Sequence, residues 1–129
     1  MDAAESLADL IQISSQIRAA AIVDEEGALA GSTLADGTGL ADAGMALLAD
    51  AAGLRNAAAP TQLEAATELG SLFVLRDGGR TIVAATGPRP TVGLVFYDLK
   101  STVRSVDMAK PKAKPKPRAS RKKQTDDEA

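Results

Sequence analysis

The sequence predicts an α+β domain, an α/β/α sandwich in which a five-stranded antiparallel sheet carries helices on both faces. Apolar residues recur at helical spacing in three segments, near residues 3–15, 39–56 and 92–106. Short apolar runs lie between these segments and are separated by glycine-containing turns, which is typical of hairpins. The predicted order is therefore α-β-β-α-β-β-β-α, and 129 residues suffice for one such domain.

The first helix is predicted over about residues 3–15. Asp2 and Glu5 have the spacing of a capping box, which satisfies the free N–H groups at a helix start. The apolar residues that follow fall on one helical face: Leu7, Leu10 and Ile11. A hairpin should come next, with strands at about 17–23 and 28–33, because Gly27 can adopt the positive φ of a tight reversal.

The second helix is predicted over "GLADAGMALLADAAGLRN". Its bulky stripe should face the sheet: Leu40, Leu47, Leu48, Ala51 and Leu54. The opposite face has little charge, and we interpret it as a dimer or partner interface: Ala41, Met45, Ala49 and Ala52. Alanine is abundant throughout the chain, so composition alone leaves open whether this face meets a partner. Met45 could equally belong to the core of a rotated helix.

A three-stranded meander is predicted at about 61–67, 70–76 and 80–86, since Asp77-Gly78 between two apolar runs is a strong hairpin signal. The stretch "TVGLVFYDLKSTVRSV" that follows has a strand-like beginning but a helical apolar spacing. We predict a helix over about 92–106. Thr91 is its expected N-cap, and Phe96 and Leu99 are its expected anchors on the sheet.

Charge divides the chain into two parts. Residues 1–108 hold seven Lys/Arg and fourteen Asp/Glu, a net charge of −7, and form the predicted domain. Residues 109–129 hold eight Lys/Arg and three Asp/Glu, a net charge of +5, with prolines and no large apolar residue. Such a segment buries too little surface to offset its ordering entropy, so a disordered basic tail is predicted.

The cations of this tail form a predicted polyanion-binding segment: Lys110, Lys112, Lys114, Lys116, Arg118, Arg121, Lys122 and Lys123. Nucleic acid, an anionic membrane surface or an acidic protein could bind there electrostatically. No aromatic residue is available for base stacking. A purely solubilising tail, or one that contacts the acidic body of its own dimer, is the alternative.

Several classes of site are disfavoured. Cysteine and histidine are absent, which excludes disulfides, Cys/His zinc sites and the usual Cys–His or Ser–His catalytic pairs. The acids of "VDEEG" are interpreted as a solvated hairpin tip, and "DGG" as turn chemistry. Arg76, Arg80 and Arg89 could act in trans on a nucleotide but are interpreted as surface residues. No catalytic residue, cofactor or metal is predicted.

Four segments, in order, resemble the roadblock (dynein light-chain roadblock) family: "IRAAAIVDEEGALAGS", the long helix, "LEAATELGSLFVLRDGGRTIVAATGP" and "TVGLVFYDLKSTV". The resemblance covers about residues 5–106. It implies a homodimer in which the third strand, with Leu63 and Ala65, extends the sheet into its partner while the long helices lie side by side. Bacterial members commonly work with small Ras-like GTPases, some as activators and others as scaffolds.

The expected function is therefore that of a homodimeric, non-enzymatic regulator or scaffold for a small GTPase. The alternative is a sensory or adaptor module whose basic tail docks on a polyanion. No run of 18 apolar residues and no basic leader is present, so a cytoplasmic protein without a transmembrane segment is expected.

Overall fold

The computed structural model describes residues 1–55 and 61–106 and contains the predicted elements in the predicted order. The elements are α1 (Ala3–Ile13), β1 (Ile17–Val23), β2 (Leu29–Ser32), α2 (Thr38–Arg55), β3 (Gln62–Ala66), β4 (Ser71–Asp77), β5 (Arg80–Thr86) and α3 (Val92–Ser105). The strands form one antiparallel sheet in the order β2-β1-β5-β4-β3. The predicted fold class is confirmed. The predicted tail, residues 109–129, and the domain boundary at 108 lie outside the described residues.

Helix α1 begins with the predicted capping box. Asp2 accepts a hydrogen bond from the Glu5 backbone N–H (2.8 Å), and the Glu5 carboxylate accepts one from the Asp2 N–H (3.0 Å). The helix ends two residues earlier than predicted, where Ser14 is extended and its N–H donates to the Leu10 carbonyl. Leu7 and Leu10 of its predicted apolar stripe are almost inaccessible to solvent, whereas Ile11 is 38 % exposed.

The β1–β2 hairpin turns through a local hydrogen-bond network rather than through a charged site. The Asp24 carboxylate accepts hydrogen bonds from the N–H groups of Glu26 and Ala28, and Gly27 has a φ of 87°. Side chains that bond nearby backbone in this way are typical of turns. The interpretation of the acidic stretch as a hairpin tip agrees with this geometry.

One layer of the core lies between the sheet and the pair α1 and α3. Phe73 of β4 is fully buried there and meets Phe96 of α3 edge to face, with ring centroids 5.1 Å apart. Leu99 is also fully buried, so both predicted anchors of α3 contact this layer. Thr91 lies at the predicted N-cap position, but its side chain makes no capping hydrogen bond.

The other layer lies between the sheet and α2, and here one prediction is wrong. Ala41, Gly44 and Leu48 face the sheet, whereas Leu54 is 87 % exposed. A Cβ placed on Gly44 would overlap both methyl groups of Val83. The helix therefore approaches the sheet along its small residues, and it is rotated from the orientation that the bulky stripe suggested.

No helix among the described residues is long and apolar enough to cross a membrane.

This close approach predicts opposite effects for two glycines of the same helix. We expect Gly44→Ala to lower the free energy of unfolding by about 1–3 kcal/mol, because the new methyl group overpacks the contact with Val83. Gly53→Ala should leave that free energy unchanged or raise it by up to about 1 kcal/mol, since nothing lies within 4 Å of its Cβ position and alanine favours helix. Urea unfolding at one protein concentration measures both. Equal effects would contradict the close approach.

Candidate functional site

Strand β3 lies at one end of the sheet and pairs only with β4 among the described strands. Its residues Leu63 and Ala65 stand opposite Val74 and Leu72. Directly opposite residues in an antiparallel pair lie on the same face, and Val74 is buried beneath α2. Leu63 and Ala65 therefore lie on the α2 side of the sheet, half-buried, beside an open strand edge.

Within residues 1–55 and 61–106, two helices cover one side of the sheet and a single helix covers the other. On the first side α1 packs over β1 and β2 while α3 packs over β4 and β5. On the second side α2 packs mainly over β1, β5 and β4, which leaves the α2 side of β3 with little cover. Half-buried leucines line this border and pack on one buried group formed by Leu48, Val74 and Val83: Leu47, Leu63 and Leu72.

The outward face of α2 is made of small residues and two acids. Its described exposed positions are Thr38, Gly39, Asp42, Ala43, Ala46, Ala49, Asp50, Gly53 and Leu54. Together with the α2 side of β3 and the half-buried leucines between them, this face forms what we call the α2–β3 surface. The exposed face of α2 consists mainly of methyl and backbone groups, so a neighbouring helix could approach it closely.

The four predicted interface residues of α2 have different environments, and not all of them lie on this surface. Ala49 is exposed, and Met45 and Ala52 are half-buried at the flank of the helix. Ala41 is only 5 % exposed and packs with Ala21 and Val23 of β1. The prediction that Ala41 and Met45 point away from the sheet is therefore wrong, because the helix meets the sheet along its small residues.

Sequence reasoning missed the contribution of Leu47, Leu54 and Leu72. Leu47 and Leu54 were assigned to the core by their size, yet Leu47 is half-buried and Leu54 is almost fully exposed. Leu72 alternates with Phe73 on β4, and its position one strand from an edge could have suggested a half-covered site.

The three candidate arginines differ in their environments. Arg80 is half-buried, and its guanidinium donates hydrogen bonds to the carbonyls of Val103 (3.2 Å) and Val106 (3.0 Å). These bonds satisfy free carbonyls at the end of α3. Arg80 is thus a structural residue, and its interpretation as a surface residue is wrong. Arg76 and Arg89 are exposed.

The remaining polar features do not form a reactive arrangement among the described residues. Arg18, Arg89 and Gln16 line a shallow cavity of about 210 Å³, and the Gln16 side chain accepts a hydrogen bond from the Thr91 N–H. Residues 1–55 and 61–106 contain no cluster of three or more acidic side chains that could hold a metal ion.

Near the start of α2, hydrogen bonds from the Thr38 hydroxyl and backbone N–H hold the pKa of Asp36 below its usual value.

Solved structures share this fold. A Roadblock/LC7 domain from Streptomyces avermitilis is 21 % identical with a TM-score of 0.62, and the match covers 79 % of this chain and 95 % of that chain. Myxococcus xanthus MglB is 20 % identical with a TM-score of 0.63, covering 79 % and 89 %. The gliding protein MglB from Thermus thermophilus is 20 % identical with a TM-score of 0.58, covering 78 % and 82 %.

No protein-family model matches the sequence. No curated protein matches it either. The likeness to the solved structures shows that the chain has the roadblock fold.

The position of Arg80 predicts a loss of stability when it is replaced. Arg80→Met keeps the apolar stem but removes both hydrogen bonds to the end of α3, and we expect the free energy of unfolding to fall by about 1.5–3 kcal/mol. Arg76→Met is the matched control, since Arg76 lies exposed on the neighbouring strand and should change stability little. Thermal or urea unfolding decides, and equal stability of the two variants would refute the structural role.

Proposed function

We propose that the chain is a homodimeric, non-enzymatic regulator or scaffold. The α2–β3 surface joins two copies, and the paired α2 helices with the adjoining strand edge bind a small Ras-like GTPase. The observation that carries the proposal is the open edge of β3 beside half-buried leucines and an alanine-rich helix face. Its roadblock fold and the resemblance of its sequence to that family support this function.

Dimerisation would use both parts of the surface. An edge strand presents unpaired backbone N–H and C=O groups, which a second copy can satisfy by adding its own β3. A two-fold axis would then bring the two α2 helices together on the same side of the extended sheet. Leu63 and Ala65 would then lie in the middle of the joined sheet instead of at its edge. A solved MglB structure described as having a tetrameric arrangement shows self-association for that protein.

A charge at Ala49 tests the dimer. Ala49→Glu adds an acid to the exposed face of α2, so the two-fold axis would bring like charges close together and should yield monomers. Ser101→Glu is the matched control, because Ser101 is an exposed helical residue of α3 on the other side of the sheet. Light scattering at micromolar concentration reports the mass. A wild-type protein that is already monomeric there would contradict the proposal.

Any activation of a GTPase should not depend on Arg76, Arg80 or Arg89. Arg80 is held by the end of α3, and Arg76 and Arg89 are exposed on a strand end and a loop. The dimer would instead act by stabilising one arrangement of the switch loops of the GTPase. A partner can shift the switch equilibrium only if it binds one nucleotide form more tightly than the other. The dimer should therefore bind the GTP-bound form of the GTPase more tightly than the GDP-bound form.

The GTPase proposal is tested by co-elution with the cognate GTPase loaded with GDP or with a non-hydrolysable GTP analogue. Wild type should bind the GTP form preferentially. Leu54→Asp should abolish co-elution, because a charge would replace a side chain that is 87 % exposed at the end of α2. Tyr97→Asp, at a 69 % exposed position on α3, is the control and should bind normally.

Two further outcomes bear on the mechanism. Arg76→Ala and Arg89→Ala should each retain most of any activation. A complete loss of activation with unchanged binding in either variant would show that the arginine is catalytic. Equal binding of the two nucleotide forms would indicate a passive scaffold, and no binding of either form would refute the GTPase proposal.

A further inference from the structure

An apolar groove runs between α1 and the edge strand β2, on the far side of the sheet from β3. Its volume is about 370 Å³, and the residues that line it are Ala4, Leu7, Ala8, Ile11, Gln12, Ser32 and Thr33. Ile11 is 38 % exposed at its far end. We propose that this α1–β2 groove binds the chain's own basic segment, residues 107–123.

The described part of the chain ends on the α3 side of α1, near the start of that helix. Val106, its last residue, is bound through its carbonyl to Arg80, and the Ser105 hydroxyl lies 2.9 Å from the Ser6 hydroxyl of α1. Ser6 lies in the first two turns of α1, as does Ala4, which lines the near end of the groove. The segment that follows Val106 therefore starts at the N-terminal end of α1.

The length of the segment fits this path. Extended chain spans at most about 3.6 Å per residue, so residues 107–110 can cover roughly 14 Å, enough to cross the N-terminal end of α1. An eleven-residue helix is about 17 Å long, so five or six more residues would run the length of the groove. All of these positions fall within the basic segment.

Charge favours this occupant. Glu5 and Asp9 are exposed on α1, which carries no basic residue, and Asp2 caps its start. At the same end of the sheet, the Glu25 side chain lies against Gly79, next to Arg80. Among the described residues, the one salt bridge joins Arg104 and Asp77. The acids of α1 and Glu25 therefore have no ion-pair partner within that part of the chain, and the cations of the segment could pair with them. A second acidic body would instead be repelled.

The composition of the segment suits a shallow apolar groove. Lysine and arginine can lay their methylene stems on apolar surface while the charged ends stay in water. The prolines at 111, 115 and 117 have no N–H, so the segment is a poor extra strand for the edge of β2. The groove, not the strand edge, is the site that these residues can fill.

This contact is independent of the proposed function, because β2 and β3 lie at opposite ends of the sheet. Docking would neutralise part of the acidic body and keep the tail cations from other anions. The docked segment would therefore make an intramolecular contact with α1 that weakens as salt is raised.

A spin label on the tail tests the proposal in the full chain. The protein has no cysteine, so Ser120→Cys gives a single labelling site in the segment, four residues after Lys116. We expect paramagnetic broadening of the Ala4, Ala8 and Ile11 amides at low salt, with little at Ala46 of α2. Broadening should fall at least twofold at 0.5 M salt, because screening weakens exposed charge pairs.

Variants separate docking from random collisions of the tail. Ala8→Lys places a cation in the groove and should reduce the broadening at least twofold, whereas Ser101→Lys, at an exposed position of α3 outside the groove, should not. Replacing Lys112, Lys114 and Lys116 together by glutamine leaves the body untouched and should have the effect of Ala8→Lys. Unchanged broadening in these two variants, or equal broadening on both sides of the sheet, would overturn the proposal. A mixture of spin-labelled protein without isotopes and isotope-enriched protein without the label reports contacts between copies. Broadening seen only in that mixture would also overturn the proposal, since the contact would then be intermolecular.

Discussion

The contact between Gly44 of α2 and Val83 of β5 determines what the sheet leaves uncovered. A side chain at residue 44 would overlap the valine methyl groups, so the helix can lie this close only because that position is glycine. Since the buried line runs through Ala41, Gly44 and Leu48, the larger Leu47 is displaced to the flank and Leu54 into solvent. The α2–β3 surface is a consequence of that packing.

The two sides of the sheet are closed to different extents, and the difference favours a partner on one of them. On the α1–α3 side, two helices are joined to each other by Ser6 and Ser105 and to the sheet by Arg80 and the two phenylalanines. On the α2 side a single helix leaves Leu63 and Leu72 half-covered beside an open strand edge. Apolar area next to unpaired backbone groups is the combination that strand addition buries.

Most of the fold could be predicted from sequence because its signals are local. The capping box of Asp2 and Glu5, the turn at Gly27 and the Asp77-Gly78 hairpin each depend on a few neighbouring residues. The closing helix was identified correctly from the spacing of its apolar residues, although its first turn has the composition of a strand.

What sequence reasoning missed depends on contacts between distant residues. The rotation of α2 follows from the fit of Gly44 against Val83, which are 39 positions apart, and periodicity assigns the largest residues to the buried side. Arg80 looked like a surface residue because its acceptors are carbonyls of α3, which no charge pattern reveals. For the candidate site, Leu63 and Ala65 come from the family resemblance and Ala49 from the helix pattern, whereas the half-buried position of Leu47 depends on the rotation of α2.

The sheet also separates the two surfaces that a partner or the tail could use. From β2 to β3 there are four strand spacings of about 4.8 Å, so the α1–β2 groove and the α2–β3 surface are roughly 19 Å apart across the sheet. Between them β1, β5 and β4 are held in register by their hydrogen bonds and pack small residues such as Ala20 and Ala84 at the centre. Because the two surfaces share no side chains, energetic effects at one should add to those at the other. A strong non-additivity would require a change in the sheet itself, such as a shift of α2 away from Val83.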